Sequence, residues 1–162
     1  MSKLPRTVLG IDCGSALVGW AVLEQKGNKL KHIDYGDIRT SKDDDMPLRL
    51  KSIFRQFSEI IKRYKPDEMA VEEIFFFKNQ KTIIPVAQAR GVTVLAGAEY
   101  DLPVYGYTPP QVKVAVTGYG RAEKKQVQFM VSKILGLKEI PKPDDVADAI
   151  AVGICHLNSN VR

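Results

Sequence analysis

No stretch of this sequence approaches the roughly 18 consecutive apolar residues of a membrane span, and its N-terminus lacks the charged region and apolar core of a secretory leader. A cytoplasmic protein is the expectation. Cysteine is scarce: Cys13 and Cys155 stand near opposite ends of the chain, outside any Cys-x-x-Cys or Cys/His cluster, which excludes a zinc or dithiol centre and leaves two free thiols. Histidine is equally scarce. His156 lies in an apolar stretch and reads as a core residue, whereas His32 reads as surface. No glycine run has nucleotide-binding spacing, so Gly118-Tyr119-Gly120 reads as a hinge between two helices. Repeats, low-complexity segments and linkers are also missing, and residues 1–162 read as one domain. A chain of this length buries about two thirds of the surface it exposes when unfolded, enough for a core without disulfides.

What is present begins with β-rich segments. Thr7 to Asp12, Val18 to Glu24 and Lys29 to Arg39 are rich in β-branched and apolar residues, with Gly14 and Lys26-Gly27-Asn28 between them, the pattern of an antiparallel meander. Pro47 to Tyr64 carries Leu50, Ile53, Phe54, Phe57, Ile60, Ile61 and Tyr64 at helical spacing. Glu68 to Ile74 then reads as a buried strand, Thr82 to Tyr100 as an apolar helix and Val104 to Tyr107 as a short strand. Helices are expected from Pro109 through Val116, from Ala122 to Leu135 and from Asp144 to Leu157. The alternation gives an α/β fold. Trp20, among apolar neighbours, belongs to its core.

Against this background four acids are out of place. Asp12 ends the run Val8-Leu9-Gly10-Ile11, Glu72 ends Met69-Ala70-Val71, and Asp145 and Asp148 lie in the Asp144-to-Leu157 helix, which is otherwise apolar from Val146 to Cys155. Ordinary structural roles cover some of them: Asp12 suits a turn, Glu72 a strand end, and Asp144 or Asp145 the first turn of a helix, where its dipole favours negative charge. Asp148 has no such excuse. It lies one turn deeper, and its i,i+3 spacing places it on the same side as Asp145. Buried carboxylates must neutralise or find a cation, and several together most simply hold a hard divalent ion through oxygen. Two strand ends facing this helix would hold a pair of Mg²⁺ ions about 4 Å apart.

Positive charge is concentrated elsewhere. The chain carries 24 basic and 19 acidic residues, a net charge of +5. Lys113, Arg121, Lys124, Lys125, Lys133, Lys138 and Lys142 outnumber Glu123 and Glu139 between Pro103 and Lys142, which accounts for the whole excess. A basic surface beside an acidic metal site suits an enzyme of phosphodiesters, because cations hold backbone phosphates while carboxylates hold metal.

The order strand-Asp, strand-Glu and helix-Asp resembles the ribonuclease H superfamily, and within it the RuvC family of Holliday-junction resolvases. The resemblance runs from about Thr7 to Leu157. It rests on Leu9-Gly10-Ile11-Asp12-Cys13-Gly14 with Gly19-Trp20-Ala21, on Val71-Glu72-Glu73-Ile74-Phe75, on Gln111-Val112-Lys113 with Ala122-Glu123-Lys124 and Gln126-Val127-Gln128, and on Asp145-Val146-Ala147-Asp148. It implies a five-stranded mixed sheet flanked by helices, in a bacterial homodimer that nicks opposing strands of a four-way junction symmetrically. The implied ligands of two Mg²⁺ ions, or of Mn²⁺ in their place, are Asp12, Glu72, Asp145 and Asp148. The adjacent Asp144 leaves the third of these open by one position. Lys113 and Lys124 match family lysines near the scissile phosphate, Arg121 and Lys125 extend that basic surface, and Phe75 matches an aromatic that stacks on unpaired bases. A RuvA/RuvB branch-migration complex is the implied partner.

Three other readings compete with this one. A related nuclease of linear DNA or RNA would share the acids; an actin-like ATPase or sugar kinase shares the Asp-x-Gly turn but needs two domains; a non-catalytic junction-binding module would not need all four acids.

Overall fold

The computed structural model describes residues 4–14, 16–74 and 80–159. Five strands form one sheet: β1 (Arg6–Cys13), β2 (Leu17–Lys26), β3 (Lys29–Arg39), β4 (Glu68–Glu72) and β5 (Val104–Tyr107). Their order is β3-β2-β1-β4-β5. β1, β2 and β3 pair antiparallel, whereas β4 runs parallel to both β1 and β5. The expected mixed α/β sheet is therefore present. Five helices cover it: α1 (Met46–Tyr64), α2 (Gln80–Glu99), α3 (Pro109–Thr117), α4 (Lys124–Leu135) and α5 (Asp144–Asn158).

The alternation of side chains along β1 divides the core in two. Leu9 and Ile11 join Trp20, Ile53, Phe57, Ile61, Met69 and Val71 under α1 and α2. Val8 joins Leu23, Val127, Val131, Ile150 and Ile154 under α3, α4 and α5. Asp12 shares the parity of Val8 and so faces α5. The amphipathic stripe expected on α1 puts Ile53, Phe57 and Ile61 inward, and full burial of Phe57 contributes about 1.5 to 3 kcal/mol. Lys65 closes that helix in the left-handed conformation, its N–H donating to the Ile61 carbonyl at 2.8 Å.

Gly118-Tyr119-Gly120, expected as a hinge, forms a closed turn. Gly118 caps α3 at φ 79°, and the Tyr119 N–H donates to Thr117 Oγ1 at 3.1 Å. His32 is exposed on β3, at the sheet edge, and Cys13 and Cys155 are free thiols. Among the described residues no helix is long and apolar enough to cross a membrane.

α5 lies against the sheet with no side chain between them at two points. A Cβ on Gly10 would stand 2.4 Å from the Ala149 carbonyl oxygen, and one on Gly19 would stand 2.0 Å from the Asp145 carbonyl oxygen. Both distances are impossible for real atoms, so glycine is required where the helix backbone meets β1 and β2. Val146 to Leu157 are buried save for the partly exposed Asp148. A helix apolar on every side is held by burial rather than amphipathicity.

Candidate active site

The site is built where three elements end or begin. In the parallel ladder Ile11 pairs with Val71, so Asp12 and Glu72 leave the ends of neighbouring strands on the α5 face. Gly19 is directly opposite Asp12 in the antiparallel register, and its missing side chain admits the first turn of α5. Asp145 and Asp148 consequently reach Asp12: ligand oxygens of Asp12, Asp145 and Asp148 all lie within 4.8 Å of one another. Glu72 is within hydrogen-bonding reach of Asp12. Three of the four acids expected from sequence converge on one point, and Glu72 adjoins them through Asp12.

Burial pushes the Asp12 carboxyl well above the usual carboxylate range, and the charges of Glu72, Asp148 and Asp145 push it further. Burial also raises Glu72; Asp148 adds to the effect, while contact with Asp12 and the positive charges of Lys113 and Lys124 oppose it. Asp145 and Asp148 are raised by burial as well, against the pull of Lys124. The common cause is desolvation of like charges without enough cations between them. Such a donor set, all carboxylate oxygen and short of positive charge, fits a hard divalent cation.

The neighbouring Asp144 belongs to another network. Gln128 Nε2 donates to its Oδ1 at 3.0 Å, and Lys124 and Lys142 lie 3.5 and 3.7 Å away. Slight burial would raise its carboxyl, but Lys124, Gln128 and Lys142 outweigh that and hold it below the ordinary value. Asp145, not Asp144, joins the acid cluster. Lys124 connects the two groups, with its Nζ also 3.5 Å from Asp148 Oδ2.

Lys113, half-buried on α3, acts electrostatically on Glu72. Arg121 and Lys125 are exposed on the outside of the α3–α4 unit, Lys125 along a cleft with Tyr119 and Phe129. Phe75, together with Phe76 and Phe77, lies outside the described residues. His156 is fully buried at the far end of α5 and takes no part in the site.

Sequence reasoning missed the supports of the site. Arg90, the only basic residue between Thr82 and Tyr100, donates from Nε to the Glu72 carbonyl at 3.2 Å and braces the end of β4. A lone charge in the apolar middle of the helix was the available signal. Gly10 and Gly19 stood in the quoted motifs without a reason; the reason is the approach of α5.

Comparisons with known proteins agree with this geometry. The family model for crossover junction endodeoxyribonuclease RuvC matches residues 8–156. A RuvC of Desulforamulus reducens is 58% identical over 149 residues, covering 92% of this chain and 91% of that protein. A RuvC of Fusobacterium nucleatum is 53% identical over 152 residues, covering 94% and 80%. Among solved structures, T. thermophilus RuvC in complex with a Holliday junction substrate superposes with a TM-score of 0.89 at 37% identity, over 94% of this chain and 93% of that one. The yeast mitochondrial Holliday junction resolvase, at 13% identity and a TM-score of 0.65, shares the fold. The chain belongs to the RuvC family of crossover junction endodeoxyribonucleases.

Proposed function

We propose that this protein resolves four-way DNA junctions by Mg²⁺-dependent hydrolysis of phosphodiesters in opposing strands, with Asp12, Glu72, Asp145 and Asp148 as its metal ligands. The observation that carries the reading is the convergence of Asp12, Asp145 and Asp148 within 4.8 Å beside Glu72. These side chains would hold two Mg²⁺ ions, or Mn²⁺ in their place, because both ions favour oxygen donors. When bound, the ions supply an acidified water for in-line attack and a counter-charge for the leaving oxygen.

The chain's own residues do the rest. Asp12 and Glu72, fixed on adjacent strands, set one side of the site, and α5 sets the other through Asp145 and Asp148. Gln128 and Lys142 hold Asp144 away, so a fifth carboxylate does not enter. Lys113 and Lys124 place two cations at the rim, where a phosphate of the cut strand needs charge compensation. Arg121 and Lys125 extend that surface towards a DNA arm, and Phe75, three residues beyond Glu72, supplies a stacking face for an unpaired base.

Symmetric nicking requires two such sites, hence a homodimer. α2 supports one: Ile84, Ala87, Gly91, Leu95 and Ala98 are exposed along it at helical spacing, an apolar stripe that a second copy would cover. A cytoplasmic RuvA/RuvB branch-migration complex completes the proposed setting.

Asp148→Asn is the direct test. Nicking of a synthetic mobile four-way junction in Mg²⁺ is expected to fall by about a thousandfold, the rate equivalent of the several kcal/mol that metal supplies. Binding of the same junction in a gel shift is expected to persist, since the variant removes a negative charge near phosphate. Undiminished Mg²⁺-dependent nicking refutes the assignment.

A further inference from the structure

Two residues of α4 face two residues of α5 across the rim of the acid cluster. Lys124 and Gln128 stand one turn apart on α4, and Asp144 and Asp148 one turn apart on α5, so each pair shares one side of its helix. Glu123 and Gln126 fix the start of α4 through their capping box, and with it the root of the Lys124 side chain. Two carboxylates then compete for one ammonium. Lys124 Nζ lies 3.5 Å from Asp144 Oδ2 and 3.5 Å from Asp148 Oδ2.

The competitors differ in what else holds them. Asp144 Oδ1 accepts from the amide of the buried Gln128 at 3.0 Å and lies 3.7 Å from Lys142 Nζ. One oxygen of Asp144 is thereby anchored while the other faces Lys124. Asp148 belongs instead to the acids whose oxygens converge with Asp12 and Asp145. Lys124 and a divalent ion cannot share Asp148 without like-charge repulsion at short range. When Asp148 is taken, Asp144 is the carboxylate that Lys124 keeps.

We propose that Asp144 is a positioning residue for Lys124: it retains the ammonium at the rim when metal occupies Asp148, which eases displacement of Lys124 from the metal site and keeps that cation beside the scissile phosphate. The inference rests on the nuclease reading above, which gives Asp148 to metal, and adds to it an anchored acid that holds no ion and touches no substrate. Without the Asp144 charge, Lys124 turns wholly to Asp148 and competes there with the incoming ion.

The test is Mn²⁺ binding to the DNA-free protein, read from the loss of the free-ion electron paramagnetic resonance signal, in wild type, Asp144→Asn, Lys124→Ala and the double variant. Asparagine keeps an oxygen for Gln128 and removes only the charge. Asp144→Asn is expected to weaken Mn²⁺ binding about fivefold, the upper range for a half-exposed ion pair, whereas Lys124→Ala strengthens it. In the Lys124→Ala background the same Asp144→Asn change is expected to shift binding by less than about twofold, because the partner it acts through is gone. Equal weakening in both backgrounds shows Asp144 acting by its own charge and overturns the proposal, as does no weakening in either. Junction cleavage in saturating Mg²⁺ gives the second readout: Asp144→Asn is expected to lower kcat several-fold at unchanged KM, and a raised KM at unchanged kcat overturns the positioning role. The two readings fail separately, since the Mn²⁺ cycle judges Asp144 without any cleavage and nicking by Asp148→Asn judges the nuclease.

Discussion

At its N-terminal end α5 presents Asp145 and Asp148 to Asp12 and Glu72, and burial raises all four carboxyls despite the opposing pull of Lys124 at the rim of the cluster. About 16 Å along the same helix, His156 is fully buried and has partners on both ring nitrogens. The Tyr107 hydroxyl meets Nδ1 at 2.6 Å, while Glu68 Oε2 and Arg6 Nη2 lie 2.6 and 3.0 Å from Nε2. Burial lowers the His156 pKa, keeping the ring neutral. Burial would raise Glu68, but Arg6 and His156 outweigh it and hold that carboxyl low. A neutral ring accepts from Tyr107 at Nδ1 and donates from Nε2 to Glu68, and Arg6 Nη2 pairs with the same Glu68 oxygen at 2.8 Å rather than with the ring. One end of the helix is electrostatically complete; the other is incomplete until an ion arrives. The complete end contributes to stability, and the incomplete end is where stability has been given up for chemistry.

Gly19→Ala attacks the acid end through its packing and has the largest expected effect of the three changes that compare the two ends. The new methyl must displace the first turn of α5, so junction cleavage is expected to fall by a hundredfold or more, since even a misplacement of about 1 Å can cost that much. The overpacking costs about 1 to 3 kcal/mol in a chemical melt. Wild-type cleavage by that variant would show that α5 is not positioned by its approach to β2.

His156→Ala tests the other end. Leaving Glu68 and Tyr107 without their partner, and a void in place of the ring, is expected to cost about 2 to 4 kcal/mol of stability. Mg²⁺ affinity of the folded variant, followed by titration, is expected to match wild type. A weakened metal site would mean that the two ends are coupled.

The smallest effect concerns pH. Carboxyls raised in the folded state make the metal-free acid end unfavourable at neutral pH, and protonation relieves it as pH falls through those raised values. His156 and Glu68 are lowered on folding, so their contribution is full above the ordinary histidine value of 6.5 and declines as pH falls below it. Metal-free Asp148→Asn is therefore expected to melt about 2 to 4 °C above metal-free wild type at pH 7.5. The gap narrows towards pH 5, where the wild-type acids begin to protonate. A gap that widens on acidification contradicts the assignment of strain to the acid end.

Much of this was legible in the chain because local signals agreed. β3 and β5 have the bounds their composition predicts, and the meander follows the glycine punctuation. Boundaries moved where a partner element decides them. β4 ends at Glu72 rather than Ile74 because β5, its neighbour, ends at Tyr107, with one last bond from the Glu73 N–H. α4 begins at Lys124 rather than Ala122 because Glu123 and Gln126 form a capping box there. The spacing to Asp148 favoured Asp145 but left Asp144 open: adjacent residues on a helix point about 100° apart, and the contact at Gly19 fixes which one meets the sheet.

The placement of the acids along the chain also bears on when the protein can act. Asp12 lies on the first strand, whereas Asp145 and Asp148 lie on the helix that follows every other described element. During synthesis the sheet and its first acid emerge long before α5 does, and a molecule clipped before α5 retains only Asp12 and Glu72. If these acids are the metal ligands proposed above, DNA-cutting capacity is deferred until α5 docks, and a copy that lacks α5 cannot cut.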